Sequence, residues 1–195
     1  MAMRIYGDRR SGNCLKVKWV ADHLEIPYEW SDVDVMTGAT RTPGFLALNP
    51  AGQVPAVVLP DGRPLAQSNA IMVHLAEDSD LVPADPYDRA RMFEWLFWEQ
   101  YSHEPYVAVV RFQVAFAGKS PAEVEERLVH RGYAAIQRLE DGLAASSFLV
   151  GDRLSLADVA CVAYTRVAHE GGFDLAAYPK VQGWIGRVER ALKIS

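Results

Sequence analysis

The stretch "DRRSGNCLKV" (residues 8–17) gathers Ser11, Asn13 and Cys14 within four positions. Two cysteines three apart at a helix start would form a dithiol redox pair. Here a hydroxyl stands first, so the turn cannot close its own disulfide. A serine hydroxyl and an asparagine amide can both donate hydrogen bonds to an anion. Cys14 is open to two readings, a reactive thiol or a small buried residue of the first helical turn. Arg9 and Arg10 lie just upstream, where they either raise the local potential or sit as solvated loop charges. A second helix start, "AQSNA", places Gln67 and Ser68 where the helix dipole favours a carboxylate. Gln67 offers a carbonyl to an ammonium and an amide to a carboxylate. An α-amino acid head group carries both charges. The histidines 23, 74, 130 and 169 have no metal-ligand arrangement, and no metal site is expected.

The elements that must position these groups follow from periodicity. Residues 3–6 form a short β-prone run with Met3 and Ile5 on one face. From Cys14 onward, Val17, Val20, Ala21 and Leu24 fall at helical spacing until Pro27 stops the helix. "YEWSDVDV" (28–35) is a second strand, so the first 35 residues read as a βαβ unit with parallel strands. "AVVL" and "RPLA" around the turn "PDG" make an antiparallel hairpin. Ser68 then caps a third helix running through Ile71, His74 and Leu75. The order β-α-β, then β-β-α, is that of a thioredoxin-like half-domain. "EDSDLVPADPYD" (77–88) is acidic, holds two prolines and reads as a linker. Beyond it the chain is helical. Residues 89–104 are apolar at 92, 93 and 95–98, too far round for one buried face. Residues 120–144 read as one long amphipathic helix opened by Ser120 and Pro121. In "FLVGDRLSLADVA", Ser155 and Asp158 form a capping box, with Leu154 and Val159 as a hydrophobic staple.

Composition bounds the function. A chain of 195 residues, half of them apolar, can bury a real core as one large domain or two small ones. The net charge of -5 opposes a duplex nucleic-acid binder, which needs a basic stripe. No apolar run approaches the ~18 residues of a membrane span, and the N-terminus lacks a signal-peptide layout. Cys14 and Cys161 lie far apart in sequence, which suits a reduced, cytoplasmic protein. No membrane or nucleic-acid partner is expected.

A thioredoxin-like half, an acidic linker and an all-helical half with that cap resemble the cytosolic glutathione transferases. The resemblance spans essentially the whole chain and rests on "NPAGQVPAVVLPDG" (49–62), "LAQSNAIMVHLAE" (65–77) and "GDRLSLADVA" (151–160). It implies an α/β thioredoxin-like glutathione-binding domain over residues 1–77, a linker over 78–88 and an all-α helical-bundle domain over 89–195. Reduced glutathione is then the co-substrate, with no cofactor bound permanently. The resemblance also implies a cis Val54–Pro55 bond that turns the Val54 main chain toward a peptide-like ligand, with Gln53 beside it. Gln67 and Ser68 would take the γ-glutamyl head. Arg41 lies where many relatives hold the glycine carboxylate with Lys or His, although the loop "TGATRTPGF" departs from their pattern.

On this reading the ligand brings the thiol. A free thiol has a pKa near 8.5, so only a few per cent is thiolate at neutral pH. Lowering that pKa by about two units takes roughly 2.7 kcal/mol of preference for the anion. Ser11 matches the serine of theta- and zeta-like members, which stabilises the sulfur anion. Asn13 resembles the asparagine of a Thr-Pro-Asn stretch in another bacterial subgroup and can share that role. Cys14 matches the cysteine of beta-like bacterial members, where a mixed disulfide with glutathione forms.

The resemblance further implies a pocket for a small hydrophobic electrophile or disulfide between the domains. Tyr101, His103, Tyr106, Arg111 and Phe112 are the candidates for it on the first two C-terminal helices. A homodimer is implied too, consistent with the over-wide apolar surface of residues 92–98. Two alternatives compete. One is a glutathione-dependent isomerase of the maleylacetoacetate type, whose second serine and cysteine are replaced here by Gly12 and Asn13. The other is a non-catalytic glutathione-transferase-like binding module, against which the intact Ser11, Gln67 and Ser68 speak.

Overall fold

A computed structural model describes residues 2–194. The chain divides after Ser79 into two compact units.

The first unit is built on a four-stranded sheet of order β2-β1-β3-β4. Strand β1 (Met3–Gly7) alternates buried Met3 and Ile5 with exposed Arg4, the period-2 signature of a half-buried strand. It pairs in parallel with β2 (Tyr28–Asp32), Met3 opposite Tyr28 and Gly7 opposite Asp32. Helix α1 (Gly12–His23) makes the crossover and buries Cys14, Val17, Val20 and Ala21. Strands β3 (Ala56–Val58) and β4 (Pro64–Ala66) form the antiparallel hairpin, β3 lying beside β1. Helix α3 (Ser68–Ala76) packs against α1.

Three local expectations change. Strand β2 ends at Asp32, because Asp34 accepts from the Met36 amide at 2.8 Å and starts a 3-10 turn over Val35–Thr37. The segment read as a loop holds a further helix, α2 (Pro43–Leu48). Thr42 caps it by accepting from the Phe45 amide at 3.3 Å, Pro43 takes the first turn, and Phe45 is buried beside Val33 and Ala56. The cap residue of α3 is Gln67, and Ser68 is the first helical residue.

The second unit is all helical. Helix α4 (Pro86–Trp98) begins inside the stretch read as linker, because Asp85 accepts from the Tyr87 and Asp88 amides at 2.9 and 3.0 Å. A π-helical turn over Glu99–His103 leads into α5 (Glu104–Arg111), and a second follows over Phe112–Phe116. The expected helix over 120–144 is interrupted. Ser120 and Glu123 cap a single 3-10 turn, buried Val124 is extended, and α6 (Glu126–Gly142) starts only afterwards. Helix α7 (Leu156–Thr165) is buried over its whole length and packs against α4, α5 and α8 (Pro179–Leu192).

The Ser155–Asp158 capping box is present, and Asp158 does more than cap. Its carboxylate accepts from the Ser155 amide and hydroxyl at 2.9 Å each, and also from the Leu149 amide and Trp184 Nε1, both at 2.9 Å. One side chain thereby ties α7 to the preceding loop and to α8. Among the described residues, no helix is long and apolar enough to cross a membrane.

Candidate active site

The Ser11–Cys14 turn is held from below by close backbone approach. A Cβ on Gly7 would stand 2.7 Å from the Trp30 ring, so only glycine lets β1 end there. Asp8, itself buried, accepts from the Arg10 amide and guanidinium and from the Val35 amide. Its main-chain carbonyl takes the Ser11 amide at 3.0 Å. Ser11 is extended (φ -84, ψ 117) and is the N-cap of α1, its Oγ accepting from the Cys14 amide at 3.4 Å. A hydroxyl that accepts in this way still carries its own proton for donation.

Asn13 is half-buried in the first turn of α1. Its Oδ1 accepts from Ser68 Oγ at 3.2 Å and from Lys16 Nζ at 2.8 Å. The two helix starts singled out in the sequence are thus bonded to one another through side chains. Cys14 is fully buried, and its Sγ accepts from the Asp8 amide at 3.4 Å. Burial pushes its thiol up to about 11, against smaller pulls downward from the Ser11 hydroxyl and the Asp8 amide. Such a sulfur stays protonated at neutral pH.

The second arm of the site is the turn before β3. Val54–Pro55 is cis, as the resemblance implies. Asn49 braces this turn: its Nδ2 donates to the Gln53 carbonyl at 2.7 Å and its Oδ1 accepts from the Ala51 amide at 3.2 Å. Gly52 has φ +61, and a Cβ there would meet the Arg41 guanidinium at 2.5 Å. Arg41 Nη1 reaches the Ala51 carbonyl at 3.4 Å, so its exposed head group lies beside the turn. Gln67 holds φ 71 and ψ 112, a conformation that costs a non-glycine residue about 1–3 kcal/mol and clusters at ligand clamps.

In the second unit, Tyr101 is 83% exposed and Phe112 is 45% exposed. Tyr106 is half-buried beneath the Arg131 guanidinium. Arg111 pairs with Glu170 at 2.7 Å and also lies over the Phe116 ring. His103 is fully buried with Nε2 2.9 Å from Thr165 Oγ1. Since Thr165 donates its own proton to the Cys161 carbonyl at 2.7 Å, the histidine is the donor in that contact. His103 therefore works inside the bundle.

Two family models match this arrangement. The one described as "Glutathione S-transferase, N-terminal domain" matches residues 10–78, and "Glutathione S-transferase, C-terminal domain" matches 95–191. The chain belongs to the glutathione transferase family. Its sheet and helices are the thioredoxin-like and helical halves of that fold. The chain is 32% identical to "Glutathione S-transferase 3" of Zea mays, over 93% of this chain and 86% of that one. It is 34% identical to "Maleylacetoacetate isomerase" of Rhizobium meliloti (90% and 85%). It is 30% identical to "Disulfide-bond oxidoreductase YfcG" of Escherichia coli (89% and 84%). Among solved structures, a glutathione S-transferase from Pseudomonas fluorescens superposes with TM-score 0.94 at 46% identity, covering 97% of this chain and 95% of that one. Ure2p in complex with S-hexylglutathione superposes with TM-score 0.88 at 25% identity (98% and 96%).

Within this member of the family, three supporting residues have no counterpart among the sequence candidates. Asn49 was detectable as an Asx-turn residue ahead of Pro-Ala-Gly. Asp8 and Lys16 give no such signal. Lys16 in particular looks like any charged residue of a surface helix, yet it is fully buried. Of the two readings open for Arg9 and Arg10, raised potential at the thiol turn or solvated loop charges, the contacts match neither fully. Arg9 pairs with Asp32 and lies over the Trp30 ring, while Arg10 bridges Asp8 and Asp34. Their charge is matched by carboxylates, and their visible task is to hold the loop together.

Proposed function

We propose that this glutathione transferase ionises the thiol of glutathione at the Ser11–Asn13 turn and delivers the thiolate to a small hydrophobic electrophile. The observation that carries this reading is the Ser68 Oγ–Asn13 Oδ1 hydrogen bond. It joins the start of α3 to the start of α1, so the amino-acid head and the thiol of one ligand meet one frame.

The γ-glutamyl carboxylate is taken by the amides at the start of α3, which have no intrahelical partners of their own. Gln67 reads the ammonium, and its unusual backbone angle presents it to the ligand. The Val54 main chain pairs with the cysteinyl residue in the manner of an added strand. Gln53 and Arg41 flank the glycine carboxylate. Ser11 donates to the sulfur anion, Asn13 shares that role, and Cys14 is a packing residue. In the reaction the thiol proton leaves to solvent and the thiolate forms a bond to the electrophilic carbon. Tyr101, Tyr106 and Phe112 supply the aromatic surface for the second substrate, with Arg111 braced by Glu170 behind them. The protein works as a homodimer. Supporting this, exposed Phe97 stacks on Phe93 along α4 and presents an apolar stripe that a second copy would cover.

A second reading, reduction of glutathione-containing disulfides or peroxides, is favoured by the likeness to the disulfide oxidoreductase. The maleylacetoacetate isomerase likeness has weaker local support, because Gly12 and Asn13 stand in place of that family's Ser-Cys. A panel with glutathione and a halonitrobenzene, a hydroperoxide or a mixed glutathione disulfide separates these. Conjugation with the first supports the proposal, and turnover of the last alone replaces it. Calorimetry showing no glutathione binding at millimolar concentration overturns every glutathione-dependent reading.

A further inference from the structure

We infer that Lys16 is a positioning residue of the thiol site: it fixes the flip of the Asn13 amide so that the NH₂ group, and not the carbonyl, is presented to the bound sulfur. The inference rests on the proposed ionisation of glutathione at the Ser11–Asn13 turn.

An asparagine side chain offers two chemically opposed ends on nearly identical geometry. Turned one way, Asn13 donates N–H to a thiolate and favours it. Turned the other way, it sets carbonyl lone pairs against the same anion and opposes it. The sign of its contribution is decided by whatever holds the far end. Ser68 alone cannot decide, because a hydroxyl both donates and accepts and would suit either flip. Lys16 can. An ammonium has three donors and no acceptor, so the Asn13 atom 2.8 Å from Nζ must be the oxygen. With Oδ1 so committed, Nδ2 is the end turned away from Lys16. The positive charge also polarises the amide and makes its N–H a better donor.

The placement of Lys16 argues for a task of this kind. It lies one turn after Asn13, the spacing at which helical side chains meet. It is fully buried at a position of α1 where Val17 and Val20 show that apolar residues pack well. Burying an ammonium is costly, and a leucine or methionine of similar length would fill the space without that cost. A packing role alone therefore does not account for a lysine here.

The test compares Lys16→Met and Lys16→Arg with the unmutated protein, in wild-type and Asn13→Ala backgrounds. The bound thiol's pKa is read from thiolate ultraviolet absorbance against pH, alongside kcat and the KM for glutathione. Lys16→Met should raise the bound thiol's pKa by about one unit, which from a starting value about two units below that of a free thiol is roughly a threefold fall in thiolate, and so in kcat, at neutral pH. The KM should stay within about twofold. Lys16→Arg, which keeps donors and charge, should restore the wild-type profile. In the Asn13→Ala background Lys16→Met should have no further effect. An unchanged pKa in Lys16→Met overturns the inference. So does an equal shift without Asn13, which would make Lys16 a direct electrostatic group. If the substituted chains do not fold, the unmutated complex still decides. Nuclear Overhauser contacts from the Asn13 amide protons to the cysteinyl β-protons of glutathione support the assignment, and their absence in the bound complex refutes it. Wild-type protein that binds glutathione without lowering its thiol pKa would count against the proposed function itself, whichever way the amide is turned.

Discussion

Ser11→Ala removes an oxygen with two separable tasks. The first is structural: Oγ caps α1 through the Cys14 amide, but at 3.4 Å this bond is long. Its loss belongs at the low end of the cap range, about 0.5–1 kcal/mol. The second is the proposed bond to the glutathione thiolate. Hydrogen bonds to charged groups contribute about 1.5–3 kcal/mol, and losing about 2 kcal/mol raises the bound thiol's pKa by about 1.5 units, roughly an eightfold drop in thiolate and turnover at neutral pH. Glutathione affinity should barely change, because the proposed anchors Gln67, Ser68 and Val54 would hold the rest of the molecule in either protonation state. Much of the lost rate should return at alkaline pH, where the thiol ionises unaided. The assay is kcat and KM for glutathione with a halonitrobenzene across pH, together with a thermal melt. A loss that persists at every pH and follows the melt would reduce Ser11 to a cap and refute the reasoning. No loss at all would pass the donor role to Asn13. If instead Cys14→Ser abolishes turnover while Ser11→Ala does not, the reacting sulfur belongs to the protein.

Other outcomes follow from particular contacts. Ser68→Ala keeps the α3 amides proposed for the head group but removes the hydroxyl proton that Asn13 Oδ1 accepts, so calorimetry should show glutathione binding weakened by about 0.5–1.5 kcal/mol. Asp158→Ala leaves the Leu149 amide, the Ser155 amide and Trp184 Nε1 without their acceptor, and urea unfolding should show a loss of about 3–5 kcal/mol. The Arg10 guanidinium holds the Asp8 carboxyl below the usual aspartate range, with burial opposing and the Arg10 and Val35 amides assisting. A folded value below the unfolded one means that Asp8 stabilises above the ordinary aspartate pKa and ceases to as pH falls through the folded value. Asp8→Asn should therefore flatten the acid side of the stability profile, measured as melting temperature against pH. Sedimentation at micromolar concentration should give a dimer, and Phe97→Glu should give a monomer near 21.6 kDa.

What the sequence made legible is what periodicity and short-range chemistry encode. The alternation of Met3, Arg4 and Ile5 and the three-four spacing of Val17, Val20 and Ala21 each report burial directly, so β1 and α1 fell where expected. The Ser155–Asp158 cap was legible because its partners lie three residues apart. What misled was competition between equally local signals. Ser120 and Pro121 do cap a turn, but Val124 is drawn into the core and breaks the helix before Glu126. Pro86 read as linker because its role as a first-turn proline depends on Asp85 as cap. Helix α2 is six residues long, too short for any period to show, and only the Thr42–Pro43 pair announces it.

The site divides along the same line. Ser11, Gln67 and Ser68 could be put forward as candidates because each lies at a helix start, and a helix start declares its chemistry through cap type and dipole. Their partners could not. Asn13 and Ser68 are 55 residues apart, and nothing local to either says that one hydroxyl meets one amide oxygen. Lys16 was invisible for a related reason: sequence reports that a residue is charged, while its value here lies in being buried against a specific oxygen. The arginines show the converse. Position alone left open whether Arg9 and Arg10 raise the potential at the thiol turn, and Asp8, Asp32 and Asp34 match their charges. Proximity in sequence thus left the loop cations undecided and passed over the helix cation. The difference is burial of the cation: Arg9 and Arg10 keep exposed guanidinium groups, and an exposed pair such as Arg9–Asp32 is worth about 0–1 kcal/mol, whereas a buried ammonium must be matched group by group and so dictates the orientation of whatever it touches.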